Sequence, residues 1–352
     1  MPLEEGLRKA LQDGMVIPAC PLALTKERKW DERRQRALCR YYSDAGAGGI
    51  AVGVHTTQFK IRDVGLFRPL LELMSEEMNR LDESRSLPLF RVAGICGDTK
   101  QAVKEATIAS ELGYHAGLVS LSALKDADDE TLINHCKEVS KVIPLFGFYL
   151  QPAVGGRFLP YSFWRRLAEE VEELVAIKIA PFNRYQTIDV VRAIAESGRV
   201  DVALYTGNDD NIILDLITPF KFNVAGSEVE LHIVGGLLGQ WAVWTRKAVE
   251  IFEWCKSISR ARKDVPIELL RIHVHLTDAN SAIFDSANNF AGCIPGIHEV
   301  LRRQGLLESN LCIDPNETLS EGQLEEIERV WNAYPHLRDD EFVAEHIDKW
   351  MS

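Results

Sequence analysis

The chain has 352 residues, 26% of them charged and 46% hydrophobic, with a formal net charge of −12. That composition excludes a disordered chain, and the negative balance argues against nucleic acid or an anionic membrane as a partner. Met1 to Gly14 reads as a charged amphipathic helix without an apolar signal core, and no run of about 18 apolar residues appears, so a cytoplasmic location is expected. Cys20, Cys39, Cys96, Cys136, Cys255, Cys293 and Cys312 form no C-x-x-C pair and read as reduced, mostly buried thiols.

In chain order, short apolar runs alternate with amphipathic helical patterns, the signature of βαβ units. The runs are Met15–Leu24, Gly49–Val54, Leu87–Cys96, Ala116–Ser122, Pro144–Leu150, Leu174–Ala180, Val202–Thr206 and Leu231–Gly235. Each is almost continuously apolar, as strands covered on both faces should be, and eight of them predict a closed (β/α)8 barrel. Asp98/Thr99 caps a helix that stops at Gly113, Leu132, Ile133, Cys136 and Val139 recur at helical spacing, and so do Leu167, Val171 and Leu174 after Pro160. From Pro266 the strand signals stop, and four helical patterns follow: Ile267–Phe284, Ile294–Gln304, Ser320–Tyr334 and Asp340–Trp350. The expected organisation is a barrel over 1–265 and a C-terminal helical extension over 266–352.

Barrel enzymes place their chemistry at the C-terminal ends of the strands. In Ala176-Ile177-Lys178-Ile179-Ala180 the period of two puts Lys178 on one face with two alanines and the isoleucines on the other. A buried ammonium without a partner is costly, so such a lysine tends to lose its proton and become a nucleophilic amine that can attack a ketone. The alternative is a rim lysine, ion-paired or reaching solvent. Tyr149 ends the run Leu145–Tyr149 on the face of Gly147, whose missing side chain leaves room, and one strand from Lys178 its phenol is expected to share the lysine's pocket as a proton carrier, or else to be a core tyrosine. Gly53-Val54-His55-Thr56-Thr57 offers hydroxyls and backbone N–H groups that can hold a carboxylate, with His55 either a site group or a packed imidazole.

In this order and spacing the residues resemble the dihydrodipicolinate synthase/N-acetylneuraminate lyase family of Schiff-base aldolases. His55-Thr56-Thr57 is similar to the family's Gly-Thr-Thr turn, Tyr149-Leu150-Gln151-Pro152 to its Tyr-x-x-Pro and Ile177-Lys178 to its Ile-Lys, with Tyr149 and Lys178 29 positions apart. Tyr205-Thr206-Gly207-Asn208-Asp209-Asp210 is similar to its Ser-Gly-Asp-Asp stretch, and His232-Ile233-Val234-Gly235-Gly236 resembles its Gly-rich eighth strand, so the likeness spans about Ile17 to Leu307. The resemblance implies that Lys178 forms the imine, Tyr149 shuttles the proton, and Thr56, Thr57, His55 and Gly207 line the substrate site. It further implies no cofactor, a 2-oxo acid substrate such as pyruvate, and a homo-oligomer, tetramer or dimer. The departures are His55-Thr56-Thr57-Gln58-Phe59 for Gly-Thr-Thr-Gly-Glu, Ser120-Leu121-Ser122-Ala123 for a Pro-Tyr-Tyr segment, and Ala153-Val154-Gly155-Gly156 intervening before Arg157, so that the arginine that follows Tyr-x-x-Pro in the synthases has no clear equivalent. They argue against the lysine-biosynthetic reaction.

The expected function is therefore a lyase or aldolase acting by C–C cleavage, condensation or dehydration on a lysine Schiff base. Two other classes stay open. One is a barrel that binds a metabolite without catalysis; the other is a metal-dependent hydrolase using His273, His275 and Asp278, whose placement in the helical tail points His273 and His275 apart.

Overall fold

Strands and helices alternate through most of the chain in the computed structural model, which describes residues 3–352. The elements are α1 (Glu5–Asp13), β1 (Val16–Pro18), α2 (Glu32–Ala45), β2 (Gly49–Val52), α3 (Phe67–Asp82), β3 (Phe90–Ile95), α4 (Thr99–Glu111), β4 (Ala116–Val119), α5 (Asp129–Ser140), β5 (Leu145–Leu150), α6 (Tyr161–Glu170), β6 (Leu174–Ala180), α7 (Arg184–Ser197) and β7 (Ala203–Thr206). They continue with α8 (Ile212–Ile217), β8 (Phe220–Val224), β9 (Ser227–Leu231), β10 (Ile233–Leu238), α9 (Thr245–Ala261), α10 (Ile267–Ile283), α11 (Cys293–Arg303), α12 (Gln323–Ala333) and α13 (Asp340–Trp350). Eight strands make one parallel sheet in the order β1-β10-β7-β6-β5-β4-β3-β2, and an isolated parallel bridge between Ala19 and Ala51 links its two ends. This is the (β/α)8 barrel that the alternating runs predict.

Residue contacts group the chain into two units, one of 1–15, 90–237 and 255–264, the other of 16–89, 238–254 and 265–352. In the first, β3 to β7 pair in consecutive parallel register. Every residue of β5 and β6 is buried, which is why these runs show no polar alternation. The Asp98 carboxylate caps α4 by accepting from the Gln101 N–H, Asp128 caps α5 through Thr131, and Asn183 caps α7 through Tyr185 and Gln186.

The sequence reading departs from the structure around β8 and β9. Leu231, taken as the start of the eighth run, ends an antiparallel hairpin, and the barrel strand β10 begins two residues later at Ile233. The hairpin turns at Ala225 and Gly226, both with positive φ (50° and 87°), the geometry of a tight two-residue connection. Its strands are half exposed and rich in charge, so they lack the apolar signal of a barrel strand.

In the second unit the four C-terminal helices form where the apolar spacing places them. α13 packs on α2, where the Tyr41 hydroxyl donates to Asp339 (2.7 Å) and Trp350 is fully buried. Glu77 on α3 accepts from Arg40 (2.7 Å) and Arg36 (3.1 Å) on α2, which hold its carboxylate below the usual range despite burial that acts the other way. All seven cysteines are free thiols, and among the described residues no helix is long and apolar enough to cross a membrane.

Candidate active site

The pairing of β5, β6 and β7 sets Lys178 beside Phe148 on one neighbour and Tyr205 on the other. Lys178 is buried, 9% exposed, and its Nζ lies 4.7 Å from the centroid of the Phe148 ring. An aromatic face attracts a cation electrostatically, which makes the ring a favourable neighbour for a positively charged group. Gly207, just past β7, borders the lysine on its other side. A Cβ there would lie 2.6 Å from Lys178 Cε and 2.7 Å from Ala180 Cβ, so the lysine chain occupies the space that the missing side chain leaves.

The backbone around Gly207 is held firmly. Its N–H donates to Ile179 O (2.7 Å), and the flanking Thr206 and Asn208 side chains donate to the fully buried Asp215 carboxylate at 2.6 and 3.0 Å. The Arg184 guanidinium and the Asn211 amide complete the ring of donors around Asp215. Asn208 Oδ1 accepts from the Phe182 N–H (3.0 Å), which ties the end of β6 to the end of β7. Asp210 nearby has its carboxyl pushed up by burial.

Tyr149 departs from expectation. Its strand partner is Ile179, one residue beyond Lys178, and a one-residue offset turns a side chain to the opposite face of the sheet. There it packs against Trp164 of α6, ring centroids 5.3 Å apart, and its hydroxyl oxygen accepts from the Leu159 N–H at 3.3 Å. Burial pushes the phenol up. Gly147 leaves no cavity on that face: a Cβ would sit 3.3 Å from Ile177 and 3.5 Å from Trp164, so the glycine lets α6 approach. Tyr149→Phe is expected to cost about 0.5–1.5 kcal/mol for one long hydrogen bond and to leave turnover within a few-fold. Thermal unfolding and steady-state rates would check this, and a hundredfold loss of turnover would restore Tyr149 as a proton carrier.

The aromatic residues on the lysine's own face are ones to which the sequence reading gave no role in the site. Phe148 is one, and Tyr205 is the other. The Tyr205 hydroxyl donates to Leu11 O (2.8 Å), its ring meets Phe146 edge-on at 5.5 Å, and burial raises its phenol strongly. Gly235 makes room for it, since a Cβ there would lie 2.7 Å from the Tyr205 ring. Period-two alternation along Ala203-Leu204-Tyr205-Thr206 is the signal that could have found it.

The turn after β2 is a 3-10 helix, His55–Thr57. Thr56 and Thr57 are buried, and their hydroxyls donate to Ala19 O and Cys20 O, both at 2.7 Å; Thr57 Oγ1 also accepts from the Gly53 N–H (3.0 Å). Both hydroxyl protons are thus committed to the segment after β1, and a carboxylate on this turn would be held by backbone N–H groups at its start. The His55 ring lies 5.9 Å from that of Phe59.

Arg157 donates to Leu124 O (2.6 Å) and Ala127 O (2.8 Å), so its guanidinium braces the loop after β4, where Ser120 and Ser122 bond each other at 3.0 Å. In the C-terminal helices His275 stacks on Tyr334 and meets His336 at 3.1 Å, while Asp278 accepts from both Arg329 and Tyr334. The Asp278 carboxylate thus serves as an ion-pair partner, and among the described residues no group of three or more metal-ligating side chains forms.

No family profile and no curated protein sequence matches the chain. Solved structures do match it in fold. The dihydrodipicolinate synthase of Aquifex aeolicus superposes with a TM-score of 0.72 at 19% identity, over 93% of this chain and 99% of that one. The chloride-inhibited dihydrodipicolinate synthase of Acinetobacter baumannii complexed with pyruvate gives 0.73 at 17%, over 91% and 98%. The N-acetylneuraminate lyase of Fusobacterium nucleatum complexed with pyruvate gives 0.71 at 17%, over 93% and 99%.

Proposed function

We propose that this chain, which has the fold of those synthases and that lyase, two of them complexed with pyruvate, is itself a Schiff-base lyase whose Lys178 condenses with pyruvate or a longer 2-oxo acid. The observation that carries the reading is the lysine itself: a buried amine near the end of β6, lying along Gly207 and against the face of Phe148. The amine gives up its proton and adds to the ketone carbon, the proton returns to the carbinolamine hydroxyl so that it leaves as water, and the resulting cationic iminium withdraws electrons from the adjacent bond. Cleavage, condensation or dehydration then proceeds without a cofactor. The Phe148 ring, 4.7 Å from Nζ, would stabilise the cationic iminium.

The test is to incubate the protein with a panel of 2-oxo acids and borohydride. A reduced-imine mass should appear on Lys178, and labelling of another lysine would sink the mechanism. A second reading, a barrel that binds an oxo acid without turning it over, is favoured by one observation: the ring against the Lys178 amine is a phenyl and carries no hydroxyl. Trapping on Lys178 without cleavage or dehydration of any panel member would select it. Condensation of pyruvate with aspartate semialdehyde is expected to be negligible, since Arg157 is bound to the carbonyls of Leu124 and Ala127; robust product formation would contradict this.

A further inference from the structure

Two histidines 61 positions apart meet on the C-terminal helices. His275 stands on α10, and His336 lies in the 3-10 turn Pro335–Leu337 that joins α12 to α13. His275 Nδ1 is 3.1 Å from His336 Nε2, and the ring centroids are 5.1 Å apart. His336 is exposed and His275 half-buried, so an ion can reach the pair from solvent.

A divalent transition metal binds an imidazole nitrogen at about 2.0–2.1 Å, which sets two such ligands about 3.3 Å apart at a tetrahedral angle and about 2.9 Å apart at a right angle. The observed separation falls between these limits. In the hydrogen-bonded pair one of the two nitrogens carries a proton, and moving that proton to the other nitrogen of its own ring frees both lone pairs for a metal with no change of charge. The His275 ring is already ordered. It stacks on Tyr334 (centroids 4.7 Å apart, 20° between planes), whose hydroxyl donates to Asp278 (2.6 Å), and Arg329 grips the same carboxylate at 2.8 and 2.9 Å. Partners behind a ligand fix its orientation before the metal arrives. On the other side, the fixed φ of Pro335 and the buried Leu337 hold the turn that presents His336.

We infer that His275 and His336 form a surface site for a divalent transition-metal ion, completed by water, which ties α10 to the connection between α12 and α13. Two neutral imidazoles with no thiolate select Cu2+, Ni2+ and Zn2+ over Mg2+ and Ca2+, which prefer oxygen ligands. The site does not depend on the lyase reading, since both of its ligands belong to the helical extension.

The experiment titrates the untagged protein with Cu2+, Ni2+, Zn2+ and Mg2+ in a calorimeter and reads its unfolding temperature with and without each ion. One Cu2+ should bind per chain, more tightly than Ni2+ or Zn2+, as the general order of divalent-metal affinities requires, and Mg2+ should not bind. Each transition metal, at about a hundredfold excess over its dissociation constant, should raise the unfolding temperature by a few degrees, and a chelator should reverse the rise. His336→Ala and His275→Phe, the second of which keeps a ring stacked on Tyr334, should each lower the affinity about tenfold or more and remove the rise, while unfolding without metal close to wild type. His273→Ala is the control, because a side chain two positions away on a helix leaves it in another direction, and it should bind as wild type does. Affinity within about twofold of wild type in both ligand variants would overturn the inference. So would an equal loss in His273→Ala, or the absence of one-to-one binding by wild type.

Discussion

Replacing Lys178 with arginine is expected to abolish both imine trapping and turnover while leaving the protein folded. The guanidinium keeps the positive charge and can still lie against the Phe148 ring, so charge and cation–π contact are largely preserved. What it lacks is a neutral nitrogen with a free lone pair, because it stays protonated throughout the accessible pH range and cannot add to a ketone. Lys178→Ala removes charge and nucleophile together, and comparison of the two separates electrostatic from covalent roles. Intact mass after borohydride, steady-state rates and thermal unfolding decide the matter. Turnover in the arginine variant within tenfold of wild type would show that the lysine acts as a charge and not as an imine former.

Gly207→Ala is expected to lower turnover by about a hundredfold or more, through steric displacement and not through loss of any functional group. The added methyl would lie 2.6 Å from Lys178 Cε and 2.7 Å from Ala180 Cβ, well inside the roughly 3.5–4.0 Å at which carbon atoms rest in contact. The backbone cannot readily retreat. Thr206 and Asn208, on either side, are bonded to buried Asp215, and the Gly207 N–H is held by Ile179 O. The lysine chain must move instead, and a shift of about 1 Å at a reacting atom costs on the order of a hundredfold in rate. Overpacking should also cost about 1–3 kcal/mol of stability. Gly6→Ala, where a new methyl meets nothing within 4 Å on helix α1, is the control and should raise stability slightly. Unimpaired trapping on Lys178 in Gly207→Ala would mean that the lysine has another productive path.

The barrel was legible from particular runs. Leu174-Val175-Ala176-Ile177-Lys178-Ile179-Ala180 is apolar on both faces except at one position, and only a strand covered on both sides tolerates that. The same run placed Lys178 correctly opposite its isoleucines, because side-chain direction within one strand follows from the backbone period and needs no partner. The hairpin Phe220–Leu231 was not legible, since charged, half-exposed strands do not stand out from a loop.

Tyr149 shows where such reading stops. Its direction relative to Gly147 was read correctly, yet its direction relative to Lys178 depends on how β5 and β6 slide past each other. Register is set by hydrogen bonding and packing between strands distant in the chain, and a shift of one residue exchanges Tyr149 for Phe148 beside the amine. Gly207 and Gln58 are similar cases. The motif singles out Gly207, but nothing local shows that it makes room for a lysine 29 residues earlier, and nothing local marks a glutamine held by Ile313 far along the chain. The sequence by itself thus determined the parallel strand–helix alternation, the helical C-terminus and the face on which Lys178 stands, because each follows from spacing along one segment. Only the tertiary structure decided which ring lies against that lysine and what Gly207 makes room for, because those follow from contacts between segments that the chain order does not encode locally.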